Sequence, residues 1–241
     1  MKTLIIAVIF LLTMVDIHGQ NLDEKAIAKN EIDLVITDLL DGSFQLKYER
    51  ALGNHFSVNL GLGYKGKYGF VSRSGLDTDK IKTDGLFYSG FKIIPELRYY
   101  LRNGDYAELK GFYLGAYLKY SNFHADLGGK YITNAQEQFE LEFDASIQVT
   151  SLGLMVGYKL PIAKKFSMDF LIAGPGAGFY NFSIENKKDL PDEFYEDLNE
   201  VLNKYPIFDL LDGNFRFSAA HRRSNFNLLS LRYAISFGYS F

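Results

Sequence analysis

The clearest signal along this chain is a period of two. From His55 to Lys65, Phe56, Val58, Leu60, Leu62 and Tyr64 take one parity, and Ser57, Asn59, Gly61, Gly63 and Lys65 take the other. The same contrast recurs in Phe91, Ile93, Pro95, Leu97, Tyr99 and Leu101 against Lys92, Ile94, Glu96, Arg98 and Tyr100. It returns in Phe112, Leu114, Ala116, Leu118 and Tyr120 against Tyr113, Gly115, Tyr117 and Lys119. Two further runs place Leu152, Leu154, Val156, Tyr158 and Leu160, then Phe166, Met168, Phe170 and Ile172, opposite small or polar partners. The last run sets Leu231, Tyr233, Ile235, Phe237, Tyr239 and Phe241 against Arg232, Ala234, Ser236, Gly238 and Ser240. Period-two alternation identifies strands with one apolar face. "EIDLVITDLL" (31–40) and "FQLKYERA" (44–51) flank Asp41-Gly42, a turn dipeptide, and read as a hairpin, although one long bent strand explains the same letters. With the hairpin the count is eight strands.

Connection lengths alternate. "LGN" near residue 53, "NGDYAE" (103–108) and "IAKK" (162–165) are tight, whereas 67–86, 125–145 and 183–225 are long and polar. An up-and-down barrel with an even strand number puts all tight turns at one rim and all long loops at the other. The fold expectation is therefore all-β: an eight-stranded antiparallel up-and-down transmembrane β-barrel with a short helix in the last long extracellular loop. That helix is "LPDEFYEDLNEVLNKY" (190–205), with Pro191 and acidic residues in its first turn. Its stripe of Phe194, Leu198, Val201, Leu202 and Tyr205 is expected to pack over or into the barrel mouth, or else to bind a partner.

Composition narrows the class. The 241 residues include 17 Tyr, 21 Phe and 22 Gly with no Trp and no Cys, a mix suited to short strands and tight turns and lacking disulfides and thiolate metal ligands. A net charge of -3 without a basic tract gives no footprint for nucleic acid. Residues 1–19 read as a secretory signal peptide: Lys2 precedes an apolar run from Leu4 to Val15, which is shorter than the roughly 20 residues of a spanning helix. The expected organisation is signal peptide (1–19), short periplasmic segment (20–30) and barrel (31–241).

Parity alone does not say which face is wet. Glycines crowd the polar set at 61, 63, 115, 153, 157 and 238, as a narrow interior requires, while Tyr64, Tyr99, Tyr120, Tyr158, Tyr239 and Phe241 sit near strand ends in the apolar set, as interfacial girdles do. Arg232 facing lipid at mid-membrane would cost about 2 to 4 kcal/mol, so it is expected to point inward. The interior then receives Lys47, Glu49, Lys65, Lys92, Glu96, Arg98, Lys119, Lys159, Asp169 and Arg232. Buried charges need partners, so a salt-bridge network filling the lumen is expected, with an excess of cations that would alternatively attract an anion.

An exported chain with alternating strands, tight and long connections in turn, and a terminal "SFGYSF" resembles the small outer-membrane barrels of Gram-negative bacteria. In that class the last strand carries a signal read by the barrel-assembly machinery; the resemblance puts it on Tyr233, Ile235, Phe237, Gly238, Tyr239 and Phe241. "QLKYERALGNHFSVNLGLGY" (45–64), "PELRYYL" from Pro95 and "GFYLGAYLKY" from Gly111 are similar to a functionally unassigned barrel family. The resemblance covers most of 30–241 and implies a strand scaffold, with no functional residue to carry over.

The function expected is therefore that of a monomeric integral outer-membrane protein with a structural, binding or interaction role, without cofactor or metal. Its partners would be outer-membrane lipids and lipopolysaccharide, and an unidentified extracellular ligand or protein; "AHRRSN" (220–225) reads first as exposed loop arginines, with contact to lipid phosphates as the alternative. One alternative is a lipid-modifying enzyme, for which His124 with Ser121 and Asp126 is the only grouping, although Ser121 falls on the opposite strand face. His18, His55 and His221 fit such a role less well. Another alternative is a narrow pore or small-ligand carrier.

Overall fold

The alternating runs form strands, and the strands close on themselves. The computed structural model describes residues 28–67, 75–85, 87–101, 109–202, 204, 218 and 223–241. The expected signal peptide, the turn at 103–108, Tyr205 and His221 lie outside the described residues, as does the side chain of Leu202. In chain order the elements are β1 (Asn30–Val35), α1 (Ile36–Leu40), β2 (Ser43–Leu52), β3 (Phe56–Lys65), β4 (Ile81–Thr83), β5 (Tyr88–Tyr100), β6 (Gly111–Ile132), β7 (Gln138–Pro161), β8 (Phe166–Asn186), α2 (Asp192–Leu202) and β9 (Arg223–Ser240). All pairings are antiparallel, in the order β1-β2-β3-β5-β6-β7-β8-β9, and β9 returns to β1 from Glu31 opposite Ser240 to Val35 opposite Ser236. The result is a closed ring of eight strands, with β4 added outside it on the far end of β6.

The two parities take opposite sides of this ring. Outward residues such as Leu154, Leu231 and Tyr233 are 68%, 67% and 73% exposed, whereas inward Asp33, Glu49, Ser57, Lys159 and Ser236 are fully buried. Ile235 and Phe237 face outward. The interior glycines make room for rings: a Cβ on Gly157 would collide with the Tyr113 hydroxyl, and one on Gly153 with Tyr117. Two small clusters of buried apolar residues result, one inside the ring around Tyr100, Tyr113 and Tyr117, the other beyond it around Phe194.

Three expectations need correction, and β8 has one irregularity that the alternation does not announce. Residues 31–51 are a hairpin, but its first strand stops at Val35 and Ile36–Leu40 is a helical turn leading into Gly42, whose φ is 73°. Residues 125–145 are not a loop: β6 and β7 continue as one long hairpin, paired from Gly111–Lys159 to Ile132–Gln138, and turn over Thr133–Glu137. Similarly, β8 reaches Asn186 and β9 begins at Arg223, so the last connection is shorter than 183–225. Finally, β8 carries an extra residue between Leu171 and Gly174, a bulge against both neighbours. The bulge reverses parity, so that Asp169 and Leu171 face inward before it and Gly174 faces inward after it, where its carbonyl accepts from the Tyr117 hydroxyl at 3.0 Å.

Strand lengths make the ring lopsided. β6, β7 and β8 have 22, 24 and 21 residues, against 10 in β2 and β3, so they overhang the ring at its long-loop end. Along the overhang the polarity inverts. On β7, Leu152 and Leu154 point out and Ser151 points in, whereas farther along Glu142 and Asp144 point out and Leu141 and Phe143 are buried on the inner face. α2 packs on that inner face, with Phe194 against Tyr131 (5.2 Å, edge-on) and Phe143 (5.6 Å, stacked).

Candidate functional site

Strand pairing brings ionisable side chains from six strands into the ring's tight-turn half. Arg98 of β5 is the hub. Its Nη1 donates to Glu49 Oε2 and to Asp169 Oδ2, both at 3.0 Å, and its Nε and Nη2 donate to Glu96 Oε2 at 3.0 and 2.7 Å. Its guanidinium lies 4.4 Å over the Tyr113 ring. Lys159 donates to Glu31 Oε1 at 2.7 Å and Glu49 Oε2 at 2.6 Å, and Lys47 donates to Asp169 Oδ2 at 2.7 Å. Hydroxyls fill the remaining acceptor sites: Ser57 (2.5 Å) and Tyr100 (2.8 Å) on Glu49 Oε1, Tyr113 (2.8 Å) on Asp169 Oδ1, Ser167 (2.8 Å) and Ser240 (2.6 Å) on Glu31. A buried ion network of this kind is tolerated because almost every oxygen and N–H is matched, and removal of one partner leaves its mate uncompensated.

Arg232 points inward, donating through Nη2 to Glu96 Oε1 at 2.8 Å and stacking 4.3 Å over Tyr117. Lys92 pairs with Asp38 of α1, and Lys65 pairs with Asp41 at 3.9 Å. Lys119 lines the interior without an ion pair among the described residues. Lys47, Glu49, Lys92, Glu96, Arg98, Lys119, Asp169 and Arg232 thus all face the interior, with Lys92 and Lys119 nearer the long-loop end than the cluster around Arg98.

The expectation of a cation excess fails at the centre of this network. Glu31 and Asp33 of β1 are fully buried there, so Glu31, Asp33, Glu49, Glu96 and Asp169 face Lys47, Arg98, Lys159 and Arg232. Asp33 is the weakly held member: both oxygens lack a hydrogen bond, and the nearest Lys47 and Lys159 ammoniums stand 4.0 Å away. The signal that could have placed these acids was present, since Glu31, Asp33 and Val35 alternate with Ile32 and Leu34.

Between the network and the long-loop end lies a chamber of about 500 Å³, with Lys47, Glu96 and Arg98 on its floor and Lys92, Lys119 and Arg232 on its walls. The tight-turn half below it is filled by the ions and by the buried rings of Tyr100 and Tyr113.

The remaining candidates do not come together. Ser121 is buried inside the ring while His124 and Asp126 are exposed on its outer side, so no relay links them. His55 stacks on Tyr99 at 5.3 Å in a tight turn. Among the described residues no group of three or more His, Cys, Asp or Glu side chains is arranged to hold a metal ion. Tyr233, Ile235, Phe237, Tyr239 and Phe241 form the outward face of β9, and Gly238 lies inside against Glu31, Asp33 and Ser167. On α2, Phe194, Leu198 and Val201 are buried in the outer cluster with Ile81, Tyr131, Leu141 and Phe143. Asp197 of α2 accepts from Lys80 at 2.8 Å and from the Tyr131 hydroxyl at 2.7 Å, ties that sequence reading missed.

A protein family matches residues 5–197, and the chain belongs to it: the family described as protein of unknown function (DUF3575). Neither the curated proteins nor the solved structures contain a match.

Proposed function

We propose that this member of the DUF3575 family is an integral outer-membrane β-barrel, monomeric, exported by its N-terminal segment, with a binding or interaction role and no catalysis of its own. The observation that carries the reading is the inversion of polarity along single strands. Where β7 carries Leu152 and Leu154 outside, ions and small side chains fill the inside; where it carries Glu142 and Asp144 outside, Leu141 and Phe143 are buried inside. A water-soluble ring has no reason to reverse its faces partway along a strand. A ring crossing from hydrocarbon into water does, because exposed leucines are stabilised only by an apolar medium, at about 1.5–3 kcal/mol each.

Three further features support the same reading. The outward apolar band runs round all eight strands, from Phe44, Leu46 and Leu52 to Leu229 and Phe241, more exposed grease than a soluble monomer carries. Ring closure leaves no open strand edge along the β1–β9 contact, where Asn30 and Phe241 exchange two backbone hydrogen bonds. Tyrosine and phenylalanine pairs such as Phe112–Tyr158 (4.7 Å) and Phe56–Tyr99 (5.0 Å) sit at the tight-turn rim, as interfacial aromatics do. The overhang and α2 then stand outside the bilayer, available to lipopolysaccharide or a protein partner. Lipid hydrolysis is the weaker reading because Ser121 and His124 lie on opposite faces of β6, and conduction is weaker because the tight-turn half of the lumen is filled.

Protease accessibility on intact cells tests the orientation. Trypsin is expected to cut after Lys187 or Lys188, exposed at the long-loop end, and to leave the turn at Lys164 and Lys165 intact until the outer membrane is permeabilised. Cutting at Lys164–Lys165 with Lys187–Lys188 protected would invert the topology and end the proposal.

A further inference from the structure

We infer that the interior chamber binds the carboxylate head of a single-chain amphiphile, a fatty acid, which enters sideways through a seam in the wall between α1 and β9. The inference rests on the membrane reading above and adds a ligand, a binding site and a route to it.

The seam follows from how β1 ends. β1 pairs with β9 only as far as Val35, opposite Ser236. The chain then leaves the strand path as α1, while β9 runs on to Arg223. From Ala234 toward the loops, β9 therefore faces a helical turn instead of a strand, and the contact seen there is the Ile235 N–H on Thr37 Oγ1 at 3.4 Å. A strand edge without a partner is tolerated at membrane depth only where protein or a water-filled cavity covers it. Here the cavity does: the chamber lining includes the inward Lys119 and Arg232 together with Leu231, Tyr233 and Leu40, which are 67%, 73% and 60% exposed on the outer side. One cavity that reaches residues of both faces passes through the wall.

The chemistry of the ligand follows from which groups are already committed. Glu96 receives Arg98 on one oxygen and Arg232 on the other, and Asp38 receives Lys92. Arg232, 10% exposed, spends Nη2 on Glu96, while its buried Nη1 has no hydrogen-bond partner. Lys119 has no ion pair among the described residues. One uncompensated ammonium and one guanidinium N–H without a partner, both on the chamber wall, make a donor pair for a monoanion with two oxygens, which is a carboxylate. A head held there would lead its chain out through the seam, over Leu231, Tyr233 and Leu40, into the apolar band.

The absence of tryptophan from the chain supplies the test. Leu231→Trp places a reporter at the seam, and Leu154→Trp places a control on the outer face of β7. Each variant is folded into lipid vesicles, with insertion checked by heat-modifiable electrophoretic mobility, and titrated with a bromine-labelled fatty acid. Saturable quenching is expected at position 231 and only the linear quenching of bilayer partition at 154. Adding Lys119→Met to the seam variant is expected to weaken the saturable phase about tenfold, the worth of a charge-assisted hydrogen bond, without affecting insertion. Indistinguishable quenching at the two positions overturns the inference, as does a saturable phase unchanged by Lys119→Met, or one displaced equally well by acetate. Failure of the unsubstituted chain to insert overturns the membrane reading instead.

Discussion

At the scale of single residues, the interior acids are not equivalent. Glu49 is fully buried and takes Arg98, Lys159, Ser57 and Tyr100 on two oxygens, so Glu49→Gln breaks the bonds it makes to two buried cations, which keep only their other carboxylates, Glu96 and Asp169 for Arg98 and Glu31 for Lys159. Its expected cost is about 3–5 kcal/mol, the penalty for breaking a buried ion pair from one side. Asp33 has no hydrogen bond and stands among acids that outnumber the four cations facing them, so Asp33→Asn removes like-charge repulsion and is expected to leave stability unchanged or raise it. Urea unfolding in lipid vesicles checks both, and the opposite signs are the discriminating result. Most of this site was legible, because the alternation from His55 onward assigns Glu96, Arg98, Lys119 and Arg232 to one face from the letters alone. Glu31 and Asp33 were missed for a local reason: in "EIDLVITDLL" the strand period lasts only to Val35, and the helical turn that follows blurs it. The hydroxyl ties of Tyr100 and Tyr113 depend on register across strands, which no single run of sequence contains.

At the scale of elements, α2 is held by grease and by two carboxylates, Asp197 and Glu193, the latter accepting from the Asn134 side chain. Phe194 is buried against Tyr131 and Phe143, and Phe194→Ala is expected to cost about 3 kcal/mol of local stability. Hydrogen exchange should show it as lost protection in 192–202 while the ring strands keep theirs. Asp197 ties the helix to the platform. Its hydrogen bond raises the pKa of Lys80; burial, then the bond to Asp197, raises that of the Tyr131 hydroxyl. Both folded values lie above the unfolded ones, so their contribution is complete below the unfolded pKa and is lost as pH rises through the folded one. Loss of these two contributions, and with it loosening of α2, is therefore expected in alkali, above pH about 10. The overhang beneath α2 reads as a loop because its exposed residues, Asp126, Lys130, Glu140, Glu142 and Asp144, are charged. Its period of two is intact with the faces exchanged, Leu127, Tyr131, Leu141 and Phe143 now lying inside. The extra residue in β8 hides similarly in "LIAGPGAG", where glycine and alanine give neither parity a mark.

At the scale of the molecule, closure and filling decide what the lumen transmits. Eight strands enclose a space that side chains alone can fill. Here Glu31, Glu49, Arg98, Lys159 and Asp169, with Tyr100 and Tyr113, bring their buried charges and rings to the same level of the tight-turn half. Each is anchored by at least one bond to a different strand: Arg98 of β5 to Glu49 of β2 and Asp169 of β8, Lys159 of β7 to Glu31 of β1. Opening a path would mean breaking several buried charge pairs together, and no single side chain can swing aside as a gate. The protein in a planar bilayer is therefore expected to show no discrete conductance steps at any applied voltage the membrane survives. The chamber lies on the other side of this plug, and the proposed ligand would reach it without passing the network. Channel steps from the purified protein would mean that the network does not hold as a unit. A silent bilayer that still binds a carboxylate amphiphile would fit a container closed at its tight-turn end.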